Sequence, residues 1–331
     1  MHNLNRRRFT QATLGGILGL GATMPRIVQA QSGLTDVIVA EPVHSTGYLP
    51  LYVAMDQGFF AEEKIRLKIL TVEGGSGHTN AVLTKQAFAF IGGPEHNAFA
   101  KAKGAELRSV VNVVNRGNVY LVARKGAGPK DRNFAAYMKG KRIATQFYGG
   151  TPNSITRYLL KDWGLQPTDV QLQEISAAAA LSAIKTGNAD VAVTTEPMLT
   201  RGIREGLWEE PFFNVPKELG DYAYSTLNVR KESVDKEPQL TAAFVRAVVK
   251  GLKATYADPA MAATVAKKEF PTMSIEDMKA TIDRSFADSM WSKDGKISAG
   301  AWDTCSKVVR TANLLKTDIA YADVIDARFV S

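Results

Sequence analysis

The sequence predicts an α/β protein of two lobes, each a mostly parallel sheet flanked by helices, with two crossover segments forming a hinge. Three observations carry this. Short runs rich in Val, Ile and Leu alternate with helical stretches from Thr35 onward, as strands buried on both faces do. The alternation leaves its first sheet near residues 119–124, passes a polar, glycine-containing stretch at 125–130, and resumes as a second series at Arg142. A chain of 331 residues is also long enough for about two cores.

In order, the first series predicts strands at 36–40, 66–72, 88–92 and 107–115, with helices at 50–57, 78–84 and 94–103 between them. The second predicts strands at 142–146, 170–175 and 191–195 and helices at 153–163, 178–185 and 197–205. A strand-like run at 222–229 crosses back. The remainder is helical in pattern, at 240–256, 261–269, 275–285 and 300–314, and is expected to cover the first lobe. The resulting division is 31–122 with 226–331 for the first lobe and 123–225 for the second.

Residues 1–30 read as an address. Arg6, Arg7 and Phe9 precede a modest apolar stretch at 12–24, and Val28 to Ala30 offers compact residues for cleavage near Ala30. The run is too short and weak to stay in a bilayer. The pattern resembles a twin-arginine signal; an ordinary secretory signal and a basic tail are the other readings. Export to the periplasm follows from either signal. Without the four arginines of this segment the net charge falls from +8 to +4, and no Lys/Arg stripe with interleaved aromatics remains, which argues against nucleic acid. The single cysteine, Cys305, cannot form an internal disulfide and reads as a small buried residue.

Three blocks then resemble a known family. PLYVAMDQGFFAEEKI at 50–65 is similar to a P-x-x-x-A-x-x-x-G-F-F-x-x-x-G-L/I motif, MKGKRI at 138–143 to L-K-G-K-x-I/V, and LSAIKTGNAD at 181–190 to A-L-x-x-G-x-V-D-A. These belong to solute-binding proteins of nitrate, alkanesulfonate, taurine and thiamine-precursor ABC transporters. A fourth block, LTKQAFAF at 83–90, departs from the family pattern, with Gln86 where glycine is usual and Ala89 near the usual aspartate. The resemblance implies the type II periplasmic-binding-protein fold, a small organic solute, an inner-membrane ABC permease as partner, and a monomer without cofactor. Read physically, Gly58 ends a helix and Phe59 and Phe60 sink under the sheet.

In open α/β sheets a ligand sits beyond the carboxyl ends of the strands. The turns expected there are 43–48, 74–79, 92–96, 148–153 and 194–197. From them come the candidate ligand-binding residues His44, Ser45, Thr46, Tyr48, Ser76, Gly77, His78, Glu95, His96, Tyr148, Gly150, Thr151 and Glu196, with Arg116 just past the fourth strand. Glycines admit a ligand to the backbone, hydroxyls cap helices or bind it, and helix starts favour anions. All three histidines after residue 30 fall in these turns. They bind a carboxylate or sulfonate, cap helices locally, or ligate a metal with Glu95 or Glu196; no metal is expected, since no i, i+4 pair fixes such a site. Arg116 either holds a carboxylate or pairs with Glu95 or Glu196. Tyr48 and Tyr148 either sandwich a flat ligand or sit on the rim.

No Ser-His-Asp order, activated cysteine or Walker-type loop stands out, and Gly74 to Gly77 lacks the Lys-[Ser/Thr] of a phosphate loop. The expectation is therefore a periplasmic binding protein for a small organic anion such as a carboxylate or sulfonate, aromatic or not. An enzyme of the thiamine-precursor synthase type on the same fold and a ligand-presenting sensor are the alternatives.

Overall fold

The structure is a computed structural model that describes residues 33–330; the expected export segment lies outside the described residues. Among the described residues, ten strands form two five-stranded sheets: β1 (Thr35–Glu41), β2 (Ile65–Thr71), β3 (Ala89–Gly92), β4 (Leu107–Val114), β5 (Tyr120–Ala123), β6 (Arg142–Thr145), β7 (Gln171–Glu174), β8 (Val191–Thr194), β9 (Phe213–Asn214) and β10 (Ser225–Arg230). The orders are β2-β1-β3-β10-β4 and β7-β6-β8-β5-β9. The two are built alike. In each, the fourth strand runs against its neighbours, β10 between β3 and β4 and β5 between β8 and β9, and the rest run parallel. Every residue of β3, β5 and β8 is buried, which is why these runs show no alternation.

The exchange between sheets comes earlier than the sequence suggests. Residues 120–122 end the first lobe in the expected division, yet β5, which contains them, pairs with β8 and β9 of the second sheet. A run buried on both faces has the same composition whichever sheet receives it, so its pairing partner is not written in its pattern. The chain thus crosses over at 115–119 and returns at 215–224. These crossovers lie side by side: the Tyr222 amide donates to the Asn115 carbonyl at 2.8 Å and the Val215 amide to that of Val119 at 3.2 Å.

The motif blocks have structural duties. Gly58 adopts φ +75° between two helical segments. Phe60 is buried against Phe244 with ring centroids 5.7 Å apart, whereas Phe59 is only half-buried, so one aromatic and not two is sunk, and it faces a helix. Arg142, from the second block, holds Asp190, from the third, through its amide and guanidinium at 2.7–3.1 Å, which ties the start of β6 to that of β8.

The C-terminal helices do more than cover the first lobe. Pro238–Ala257 packs on Leu49–Asp56, as expected. Ile275–Ala287 and Ala299–Thr311 also reach the second lobe, where they pack on Met198–Arg204 and Thr151–Asp162. Arg204 pairs with Asp277 at 2.6 Å, and the Tyr120 hydroxyl donates to Asp288 at 2.8 Å.

The contact between helices 238–257 and 49–56 depends on Gly251. A Cβ there would lie 2.3 Å from the Pro50 carbonyl oxygen and 2.7 Å from the Ala54 Cβ. Gly251→Val should cost about 3 kcal/mol by overpacking a backbone contact. Urea unfolding measures it, and an unshifted midpoint would show that the helices part freely.

Candidate functional site

The C-terminal ends of the two sheets face each other across a cavity of about 100 Å³. The first lobe contributes Ser45, Tyr48, Glu73, Gly75, His78 and His96. The second contributes Gln146, Phe147, Gly150, Thr151, Ser176 and Thr195, and the crossovers add Asn118 and Tyr224. Two helices of the second lobe begin at the cavity, Thr151–Asp162 after Gly150 and Ala177–Lys185 after Ser176. Their first-turn amides have no partners within the helix and carry positive partial charge. None of the described residues lining the cavity is a lysine or an arginine.

The three histidines divide two to one. His78 and His96 meet edge-to-face, ring centroids 4.6 Å apart, both buried and both lining the cavity. Both ring nitrogens of His78 are buried with no hydrogen-bond partner. Burial, and then His96, holds the His78 imidazole well below its ordinary titration range; burial also lowers His96, against the pull of Glu95. His44 goes elsewhere. Its Nδ1 is 3.0 Å from Glu41 Oε1 and its Nε2 is 3.5 Å from Glu269, with the ring stacked on Phe270. The bond to Glu41 raises its pKa, and it clamps β1 to a C-terminal helix while lining, with Glu196, the adjoining part of the cleft.

Several hydrogen bonds cross between the lobes. Thr151 donates to Glu95 at 2.5 Å, Ser45 to the Glu196 carbonyl at 3.2 Å, and the Glu196 amide to Asn118 at 3.0 Å. The Glu196 carboxylate, fully buried, accepts from Thr200 within its own lobe and pairs with Arg284 at 3.0 Å on the C-terminal helix, whose guanidinium also holds Glu210 at 2.7 Å. Burial raises the Glu196 carboxyl to about 7 in spite of these bonds. At the cavity rim the turns touch backbone to backbone, and a Cβ on Gly75 would stand 1.9 Å from the Tyr148 carbonyl oxygen.

Of the expected residues, Ser45, Tyr48, His78, His96, Gly150 and Thr151 line the cavity. The others do not. Thr46 is buried beneath its turn, Ser76 is exposed and Gly77 packs on Val72. Glu95 is buried behind Thr151 and accepts from the Cys305 thiol at 3.2 Å. Glu196 turns toward Arg284. Arg116 is partly exposed and pairs with Asp221 at 3.3 Å, a partner invisible in sequence because it lies on the other crossover. The aromatic sandwich fails too, since Tyr148 is 58% exposed and stacks on the Arg157 guanidinium while Tyr48 is buried. Sequence reading missed Asn118, Gln146, Phe147 and Tyr224. Asn118 lies two residues past Arg116, just beyond the fourth strand, where the longer, charged side chain is the more conspicuous candidate. Among the described residues no group of three or more His, Cys, Asp or Glu is placed to hold a metal ion.

A family description, NMT1/THI5 like, matches residues 45–262. YtlA of Bacillus subtilis (strain 168), named provisionally as a binding protein, is 25% identical over 88% of both chains. The 4-amino-5-hydroxymethyl-2-methylpyrimidine phosphate synthase of Uromyces fabae is 28% identical over 73% of both. Among solved structures, the alkanesulfonate-binding protein SsuA from Xanthomonas axonopodis pv. citri bound to MOPS superposes with a TM-score of 0.71 at 17% identity, over 88% of this chain and 98% of that one. The two mixed sheets are those of the periplasmic-binding-protein fold. With the match spanning well over half its length, the chain belongs to the NMT1/THI5-like family.

Proposed function

We propose that this chain is the solute-binding component of an ABC importer, exported to the periplasm, and that it delivers a small organic anion to an inner-membrane permease. The observation that carries this is a cavity walled by both lobes and shut by hydrogen bonds that cross between them. Such bonds exist only when the lobes are together, so a solute that bridges the walls shifts the open–closed equilibrium toward the closed form. The adjoining crossovers are the natural hinge. The two helix starts at Gly150 and Ser176 support a carboxylate or sulfonate, and the small cavity supports a compact one.

Binding rather than catalysis fits the groups present. The Cys305 thiol is buried, bonded to Glu95 and held protonated by burial, and the His78 nitrogens have no nucleophile to activate. The synthase relative, 28% identical over 73% of both chains, shares the cleft only by likeness of sequence, so its activity is not carried over to this chain.

Thermal-shift screening of residues 31–331 against nitrate, alkanesulfonates, carboxylates and pyrimidines tests the reading. A true solute at a hundredfold its Kd adds about 2.7 kcal/mol of stability, and a panel in which nothing raises the Tm would sink it. Closure has its own probe. Gly75→Ala should leave the Tm unchanged and weaken solute binding at least tenfold, because the new Cβ collides with the opposite lobe; Arg116→Ala, outside the cavity, should leave affinity unchanged. Equal affinity in Gly75→Ala would mean the lobes need not meet there.

Glu196 sets a pH dependence of stability. Its folded pKa, about 7, lies above the ordinary 4.5, so the folded chain keeps a proton that the unfolded chain releases between these values. The stabilisation is complete below pH 4.5 and is lost as the pH rises through 7. Relative to Glu196→Gln, the wild type should lose on the order of 2–3 kcal/mol from pH 4.5 to 7.5. Parallel stability–pH curves for the two would remove Glu196 as the cause.

A further inference from the structure

The cavity poses a charge problem for the anion proposed above. Its wall holds no lysine or arginine among the described residues. Glu73 stands at its rim, and Glu95 lies behind Thr151 with only a hydroxyl and a thiol as donors. The helix starts at Gly150 and Ser176 bring partial charge only, and the Ser176 hydroxyl already caps the Ala179 amide. A full negative charge sealed in this space needs a full positive one. What the wall does hold is a pair of imidazoles packed edge-to-face, one of them nine-tenths buried with both nitrogens unsatisfied.

We infer that the His78–His96 pair is the specificity element of the cavity and that it takes up one proton together with each anionic solute. His78 lies on the helix Gly77–Leu83 and meets Phe90 of β3 at 5.1 Å and His96 of the helix Glu95–Lys101 at 4.6 Å. The titratable groups that face the pair are Glu73 at the rim, Glu95 beside His96, and the hydroxyls of Tyr48 and Tyr224, both tyrosines held protonated by burial. The second lobe presents no titratable side chain to the cavity among the described residues. In the empty cleft, burial lowers both imidazoles below their ordinary titration range, helped by the neighbouring ring at His78 and opposed by Glu95 at His96. An anion against the pair reverses the balance: the proton that moves from solvent to one imidazole nitrogen gives an imidazolium beside the solute, and the closed cleft gains no net charge. A neutral analogue of the same shape brings no such gain, so the pair selects for charge as well as size.

The inference rests on the solute-binding reading, and its test separates the two. Isothermal titration of the chain with nitrate, methanesulfonate, acetate and benzoate, and with acetamide and benzamide as uncharged partners, is run from pH 6 to 8.5 in buffers of unequal ionisation enthalpy. The expected result is uptake of close to one proton per bound anion at pH 8 and a Kd that rises about tenfold per pH unit. His78→Gln, which keeps the size and loses the titration, should bind more weakly and flatten that slope. An anion bound with no proton uptake and a Kd independent of pH overturns the inference while the solute-binding reading stands. Binding of the amides alone, or of no anion at all, also overturns it.

Discussion

The geometry of this protein depends on two backbone segments lying against each other. The crossovers at 115–119 and 215–224 bond amide to carbonyl at both ends, and they are where one sheet hands the chain to the other and takes it back. Because each delivers an antiparallel strand to the fourth position of a five-stranded sheet, the two sheets are equivalent and their carboxyl ends confront one another. The cavity is a consequence of that placement. Turns that would be separate surface loops on isolated domains become opposite walls, and hydroxyls such as those of Ser45 and Thr151 find acceptors across the gap instead of in solvent.

Much of the architecture was legible because it rests on local chemistry. Runs of Val, Ile and Leu bounded by glycine and polar turns read directly as β1 to β4 and β6 to β8, and the amphipathic C-terminal helices follow from their periodicity. What was not legible is pairing. Tyr120–Ala123 is apolar throughout and would suit either sheet, and β9, two residues long, has no pattern at all. The same limit governs the site. Turns at the strand ends located the cavity, and six of the candidate residues line it. Which side chain a turn presents to the cavity is decided by partners far away in sequence. Asp221 draws Arg116 outward, Glu41 and Glu269 claim His44, and Arg284 turns Glu196. Charged residues were the most conspicuous candidates and proved the least faithful, since a charge in a folded chain is the group most strongly drawn to a partner.

Among the described residues three glutamates, Glu41, Glu95 and Glu196, are fully buried, and their different partners explain the division of labour. Glu41 is satisfied three times over, by Tyr52 at 2.6 Å, Thr71 at 2.8 Å and His44 at 3.0 Å, and anchors the end of β1. Glu196 has a guanidinium and two threonines and bridges the second lobe to the C-terminal helices. Glu95 has hydrogen bonds and no cation. The first two are structural because their charge is compensated whether or not a solute is present. Glu95 leaves a negative field at the wall that adjoins His96, and that field is part of what any solute must be matched against.

Similarity to both a named binding protein and a synthase raises the question of what a shared cleft must change to pass from one to the other. Catalysis needs a reactive group held ready for the substrate and aligned by a neighbour. Here the groups with latent reactivity are disarmed by their surroundings: the thiol by burial and a carboxylate, the tyrosines by burial, and His44 by two carboxylates outside the cavity. Of the two imidazoles that face the cavity, His78 has neither ring nitrogen bonded to a partner, and its ring meets that of His96 edge-to-face. Such a pair can accept a hydrogen bond or a proton and give it back unchanged when the lobes part. Reversibility of that kind suits a protein whose solute must leave intact, and it follows from leaving His78 unsatisfied until something enters the cleft.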